Sequence, residues 1–138
     1  MKSFNYLLIL FSLYSCVTNE SDIGAEQDEI NDVEITVTEK SFSTSELKAI
    51  GTIVNKGIAT ISPPWYVEGK FYADNTQTTV IGGDNDKQTI SLEAGESINW
   101  ELIITSDALT ITGDNISEYP FFDVGSLRAY AGSQGFFD

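Results

Sequence analysis

Short apolar stretches alternate with polar residues from Val33 to the C-terminus, and turn residues break them every eight to twelve positions. Val33-Glu-Ile-Thr-Val-Thr repeats with a period of two, which is the signature of a half-buried strand. Leu47 to Val54 and Trp65 to Ala73 follow; in the second, Trp65, Val67, Gly69, Phe71 and Ala73 share one face. A short strand is expected at Thr78–Ile81 between two turn clusters, Asp74-Asn75 and Gly82-Gly83-Asp84-Asn85. Lys87 to Leu92 leads into a Glu93-Ala94-Gly95-Glu96 turn. Ile98, Trp100, Leu102 and Ile104 then alternate with polar neighbours, and Val124 to Tyr130 supplies the last strand. Helical periodicity is absent, apart from room for one turn at Ser43–Lys48. The pattern predicts an all-β fold: an antiparallel sandwich of about seven strands.

The first residues follow a different pattern. A basic start (Met1, Lys2) precedes an apolar run from about Phe4 to Leu13 and then the small residue Ser15. This is the layout of a secretory signal. A permanent span needs roughly 20 apolar residues, so the run is too short for one. Leu13-Tyr14-Ser15-Cys16 resembles the lipobox of bacterial lipoproteins. That resemblance implies cleavage before Cys16 and a diacylglycerol, with further acyl lipid, on its sulfur. It also implies residence in the bacterial cell envelope, at the outer membrane, on its periplasmic face or at the cell surface. Cys16 is the single cysteine, so no intramolecular disulfide can form.

Charge divides the remainder. Between Val17 and Glu34 there are seven acids, no base and no aromatic residue, so the stretch cannot bury enough apolar surface to fold. The expected organisation is a signal peptide at 1–15, a lipidated cysteine and acidic tether at 16–32, and one sandwich domain at 33–138. Acidic stretches after the cysteine also serve as surface-sorting signals in lipoproteins of some Gram-negative groups, although here the acids are spaced. Net charge is −14 over the chain, which disfavours nucleic acid and anionic headgroups as partners. Membrane attachment then falls to the lipid.

Within the domain, Gly51-Thr-Ile-Val-Asn-Lys-Gly57, Val67-Glu-Gly-Lys-Phe-Tyr-Ala-Asp-Asn75, Leu92-Glu-Ala-Gly-Glu-Ser97 and Trp100 resemble the FxLYD-type immunoglobulin-like modules of bacterial envelope proteins. Two positions depart from that pattern: the leucine before Tyr72 is replaced by Phe71, and Ala94 stands where proline is usual. The motif residues imply structural roles. Asn55, Gly57 and Gly95 suit turns, and Trp65 and Trp100 suit a core without a disulfide.

Candidate chemistry is sparse. Histidine is absent and the one cysteine is assigned to lipid, which removes His- and Cys-based nucleophile systems and metal sites. No pair of carboxylates is singled out by spacing, so no catalytic residue is expected. Asp84 and Asp86, with Asp74 nearby in sequence, are the oxygens a calcium ion would use, yet the spacing of a calcium loop is missing and a polar hairpin loop accounts for them. Aromatics remain. By alternation Tyr66 and Tyr72 lie on the face opposite Val67, and Tyr119, Phe121 and Phe122 follow in Tyr119-Pro-Phe-Phe. Exposed, these five would suit a protein or glycan partner; otherwise Tyr119-Pro-Phe-Phe closes an open end of the sandwich. The expectation is a non-enzymatic envelope lipoprotein with a protein contact. A glycan-binding module comes second, and a small hydrolase accessory or inhibitor subunit third. No cofactor is expected beyond the lipid.

Overall fold

Strand β3 (Glu46–Asn55) alternates half-buried and buried residues along its whole length, with Leu47, Ala49, Gly51, Ile53 and Asn55 turned inward. It is the central strand of a three-stranded antiparallel sheet, between β2 (Val33–Phe42) and β6 (Ser97–Thr105). The second sheet runs in the order β1 (Asp28–Ile30), β7 (Asp123–Ala131), β4 (Trp65–Tyr72), β5 (Val80–Gln88), and every pairing is antiparallel. The computed structural model describes residues 27–111, 113–135 and 137, and over these the fold is a seven-stranded β-sandwich. Cys16, the lipobox and the tether as far as residue 26 lie outside the described residues. Among those described, no helix is long and apolar enough to cross a membrane.

The inward faces meet in one core. Trp65, Val67 and Phe71 of β4 pack with Leu47, Ala49 and Ile53 of β3, Trp100, Leu102 and Ile104 of β6, and Val124 and Ala129 of β7. Both tryptophans are buried, and the Trp65 indole N–H donates to the Ile90 carbonyl at 2.9 Å. Asn55 fulfils its turn role from inside. Its amide donates to the Ala59 and Leu92 carbonyls at 2.8 and 3.0 Å, and its Oδ1 accepts from the Gly57 N–H at 2.9 Å. The Gly95 N–H adds a bond to the Asn55 carbonyl at 2.8 Å. One buried amide thereby ties the β3–β4 and β5–β6 connections together without leaving a polar atom unpaired.

Several elements depart from the expected pattern. The stretch 28–30, read as tether, forms strand β1 against Ala129–Ala131. Ser43–Lys48 contains no helix: Ser43 Oγ accepts from the Glu46 N–H at 3.1 Å, and β3 begins at Glu46. Lys87–Leu92 is not a continuous strand, since β5 ends at Gln88 and Leu92 makes only an isolated bridge to Ile61. Most consequential, Gly82-Gly83-Asp84-Asn85 is the middle of β5 rather than a turn. The glycines are there because something approaches closely: the Phe137 ring occupies the space a Gly83 side chain would need.

Asp84 and Asp86 point from β5 toward the open edge of β6. Asp84 Oδ2 accepts from the Ile103 N–H at 2.6 Å, and Asp86 Oδ2 accepts from the Glu101 N–H at 3.1 Å. A strand edge exposes unpaired N–H groups that another chain could exploit. Here two carboxylates of the opposite sheet occupy them and join the sheets along one side. The Asp-Asn-Asp sequence is thus an edge cap.

Candidate functional site

Strand direction separates the two ends of the sandwich. At one end lie Asp28, where the described chain enters, and Val33, Trp65, Gln88, Ser97 and Ala131. The opposite end carries the turn after Phe42, the β4–β5 turn and the long β6–β7 connection. That distal end holds a cleft of about 540 Å³ lined by Lys40, Phe42, Asp74, Asn75, Pro120, Phe121 and Phe122.

Each wall of the cleft is locally determined. The β4–β5 turn is built on Asp74, whose carboxylate accepts from the Thr76 hydroxyl and N–H and is held below the usual carboxylate range by those bonds. In the β6–β7 connection, Asn115 and Glu118 form a capping box around the 3₁₀ turn Ile116–Glu118, and Ile116 is buried in the core. The Tyr119 hydroxyl donates to Asp114, which pushes the phenol up to about 12. Phe122 then turns inward and stacks on Phe71 with ring centroids 5.7 Å apart. Its neighbour Phe121 is left 84% exposed, facing the cleft with Phe42, which is 41% exposed.

Lys40 pins the three walls together. Its ammonium donates to Asp123 Oδ1 at 2.7 Å and to the Phe122 carbonyl at 3.4 Å, while Asp123 Oδ2 accepts from the Gln77 amide at 2.6 Å. Burial raises the Asp123 carboxyl, but the bonds from Lys40, Gln77 and the Val124 N–H outweigh it and hold the group below the ordinary range.

Of the five aromatic candidates, the structure brings Phe121 and Phe122 to this cleft. Tyr119, half-buried, packs against the core beside it. Tyr66 and Tyr72 are corrected: they are 1% and 6% exposed, so neither offers a binding surface. The outer face of β4 is covered by side chains of its neighbours. Tyr130 of β7 stacks on Tyr66 at 5.3 Å, the Lys87 ammonium lies 5.9 Å from the same ring, and the Tyr66 hydroxyl reaches the Ser133 carbonyl. The Tyr72 hydroxyl bonds Ser126 Oγ at 2.6 Å. Lys40 and Phe42 escaped the sequence reading, because a lysine and a phenylalanine at the end of an alternating strand carry no signal of their own.

The acidic candidates do not converge. Asp84 and Asp86 serve the β6 edge, Asp74 closes a turn, and among the described residues no group of three or more metal-ligating side chains is present. Burial raises the Asp86 carboxyl, against opposing bonds from the Glu101 N–H and Gln88, and the charge of Glu101 adds to the rise. A carboxyl raised on folding contributes stability at low pH that is lost as pH rises through its folded value. Asp123, lowered on folding, does the reverse: its contribution is present above about 3.9 and is lost as pH falls through the folded value. Asp86→Asn keeps the acceptor and removes the titration. Its urea midpoint at pH 7 is expected to equal or exceed the parent's, by about 0.5 kcal/mol given solvent screening at a part-exposed group. The parent's gain in stability as pH falls toward the ordinary carboxylate range should shrink in the variant. A loss exceeding about 1 kcal/mol at pH 7 would mean the charge itself holds the edge.

No family model matches the chain, and neither a curated protein nor a solved structure matches it. The FxLYD-type resemblance is carried by its motif residues alone.

Proposed function

We propose that this chain is a non-enzymatic envelope lipoprotein, held to the membrane through lipid on Cys16, whose sandwich presents the Phe42–Phe121 cleft to a partner protein. One observation carries the reading. The chain enters the sandwich at one end, and the distal cleft with its exposed phenylalanines is at the other. Eight residues of β4 separate the ends, about 27 Å at strand rise. A lipid at the N-terminal side would direct the cleft away from the bilayer.

The chemistry of the cleft favours protein over glycan. Sugar stacking calls for broad exposed rings, yet both tryptophans and Tyr66 and Tyr72 are buried. Two exposed phenylalanines beside Lys40 and Asp74 instead resemble a small interface centre, apolar in the middle with charge at the rim.

Site-specific photo-crosslinking in the native cell tests this. A photoreactive residue at position 121 should capture a discrete protein. The same residue at Ile58, which is 99% exposed at the entry end, should capture much less. Equal capture at both positions, or none at 121, would sink the reading.

A further inference from the structure

The outer face of the second sheet holds a second cleft, of about 350 Å³, lined by Glu68, Lys70, Ser126 and Arg128. It shares no lining residue with the distal cleft and takes no part in the reading above. Glu68 is only 3% exposed. Its Oε1 accepts from the Arg128 Nε at 2.7 Å, which also raises the guanidinium further above its already high value. Its Oε2 is buried and has no hydrogen-bond partner. An orphaned buried carboxylate oxygen costs stability, and such groups in folded proteins call for an explanation.

The backbone is also unusual at this place. Glu68 faces Arg128 and Lys70 faces Gly125, so Gly69 alone lies opposite Ser126 and Leu127: a β-bulge in β7. Within it Ser126 takes φ 51°, a left-handed conformation that a serine adopts at a cost. The bulge sets the Ser126 hydroxyl against Tyr72 and on the wall of the cleft. Bulges of this kind re-aim side chains beside functional sites. Lys70 completes the set. Its cross-strand neighbours are Gly83 and Gly125, neither of which brings an acid, and no described ion pair includes it.

The charges then define what would fit. Arg128 already neutralises Glu68, so two demands are left over: one cation at Lys70, and one acceptor oxygen at Glu68. A matching ligand carries one negative charge and, close to it, one uncharged hydrogen-bond donor. We infer that this cleft binds a small hydroxycarboxylate, its carboxylate against Lys70 and its hydroxyl donating to the free oxygen of Glu68. Glu68 lines the cleft, and binding would require its broad terminal torsion to turn Oε2 toward the ligand. The volume lies at the low end for ligand sites, enough for one sugar ring or a shorter acid. An acidic sugar and a free hydroxy acid share this chemistry.

The test is a titration followed by NMR on the full chain in detergent, with glucuronate for the sugar arm and glycerate for the free-acid arm. Glucose lacks the carboxylate and acetate lacks the hydroxyl. At least one of the first two should saturate, with affinity about 10-fold or more above both controls, the equivalent of about 1.4 kcal/mol. Lys70→Ala, a part-exposed position, should keep the parent melting temperature and weaken binding about 10-fold. Ser126→Gly relieves the left-handed strain but removes the partner of the Tyr72 hydroxyl, so it should weaken binding with little net change in stability. The inference is overturned if neither acid saturates by about 50 mM. It is equally overturned if glucose or acetate binds as well, or if Lys70→Ala leaves affinity unchanged.

Discussion

Gly51→Ala is expected to cost at least about 3 kcal/mol of stability, the range of a severe overpacking mutation in a close-packed core. Gly51 sits in the middle of β3, where β2 loses register between Val37 and Glu39. A side chain there would fall well inside 3.0 Å of both the Thr36 carbonyl oxygen and the Trp100 ring. Neither neighbour can yield cheaply. Thr36 is held in the β2–β3 ladder, and Trp100 is a buried side chain packed among Leu102, Ile104 and Ala49. For a domain near 100 residues, that loss lowers the melting temperature by about 12–24 °C. Trp100→Phe in the same background removes the indole atoms but leaves the carbonyl clash, so it should restore part of the loss at most. Urea and thermal unfolding of both variants check this. A Gly51→Ala protein within about 1 kcal/mol of the parent would mean β2 shifts freely at the bulge, contrary to the packing described.

The same close packing explains which parts of the fold were legible in the sequence. Strands β3 and β6 have one face in the core and one in water, so their alternation reports directly on burial. Strand β4 is flanked on both sides and covered outside by Tyr130 and Lys87, so both of its faces are buried and alternation assigns Tyr66 and Tyr72 wrongly. In β5, Gly, Asp and Asn have the local preferences of turns. What holds them extended is tertiary: Phe137 over Gly83, and the N–H groups of β6 waiting for Asp84 and Asp86. The same split runs through the distal cleft. Tyr119-Pro-Phe-Phe stood out as a concentration of aromatics, but which phenylalanine faces outward depends on Phe71, fifty-one positions before Phe122. Glu68 and Ser126 gave no signal whatever, because a bulge and an unpaired oxygen exist only once two strands have met.

Cys16→Ser is expected to abolish both cleavage and the incorporation of labelled fatty acid, replacing firm lipid attachment with at most the weak hold of the retained Phe4–Leu13 run, which is too short to span. The size of the effect follows from hydrocarbon burial. Each buried methylene contributes about 0.8 kcal/mol, and two chains make anchoring stable where one leaves it marginal. The residues after Cys16 cannot take over, since they are acidic and the net charge of −14 opposes anionic headgroups. The same variant also tests distal presentation. From Cys16 to Gln27 the chain spans at most about 40 Å, so the anchored cleft is confined to a layer within roughly 65 Å of the bilayer. Confinement raises the effective concentration of cleft and partner for each other, by orders of magnitude for short tethers. Capture at position 121 should therefore fall steeply in Cys16→Ser, even with the sandwich folded and equally abundant. If the variant is still processed and membrane-bound, the anchor is not on Cys16. If it is released yet captures its partner as before, the anchor and the cleft are unrelated features, and distance from the membrane is not what the sandwich provides.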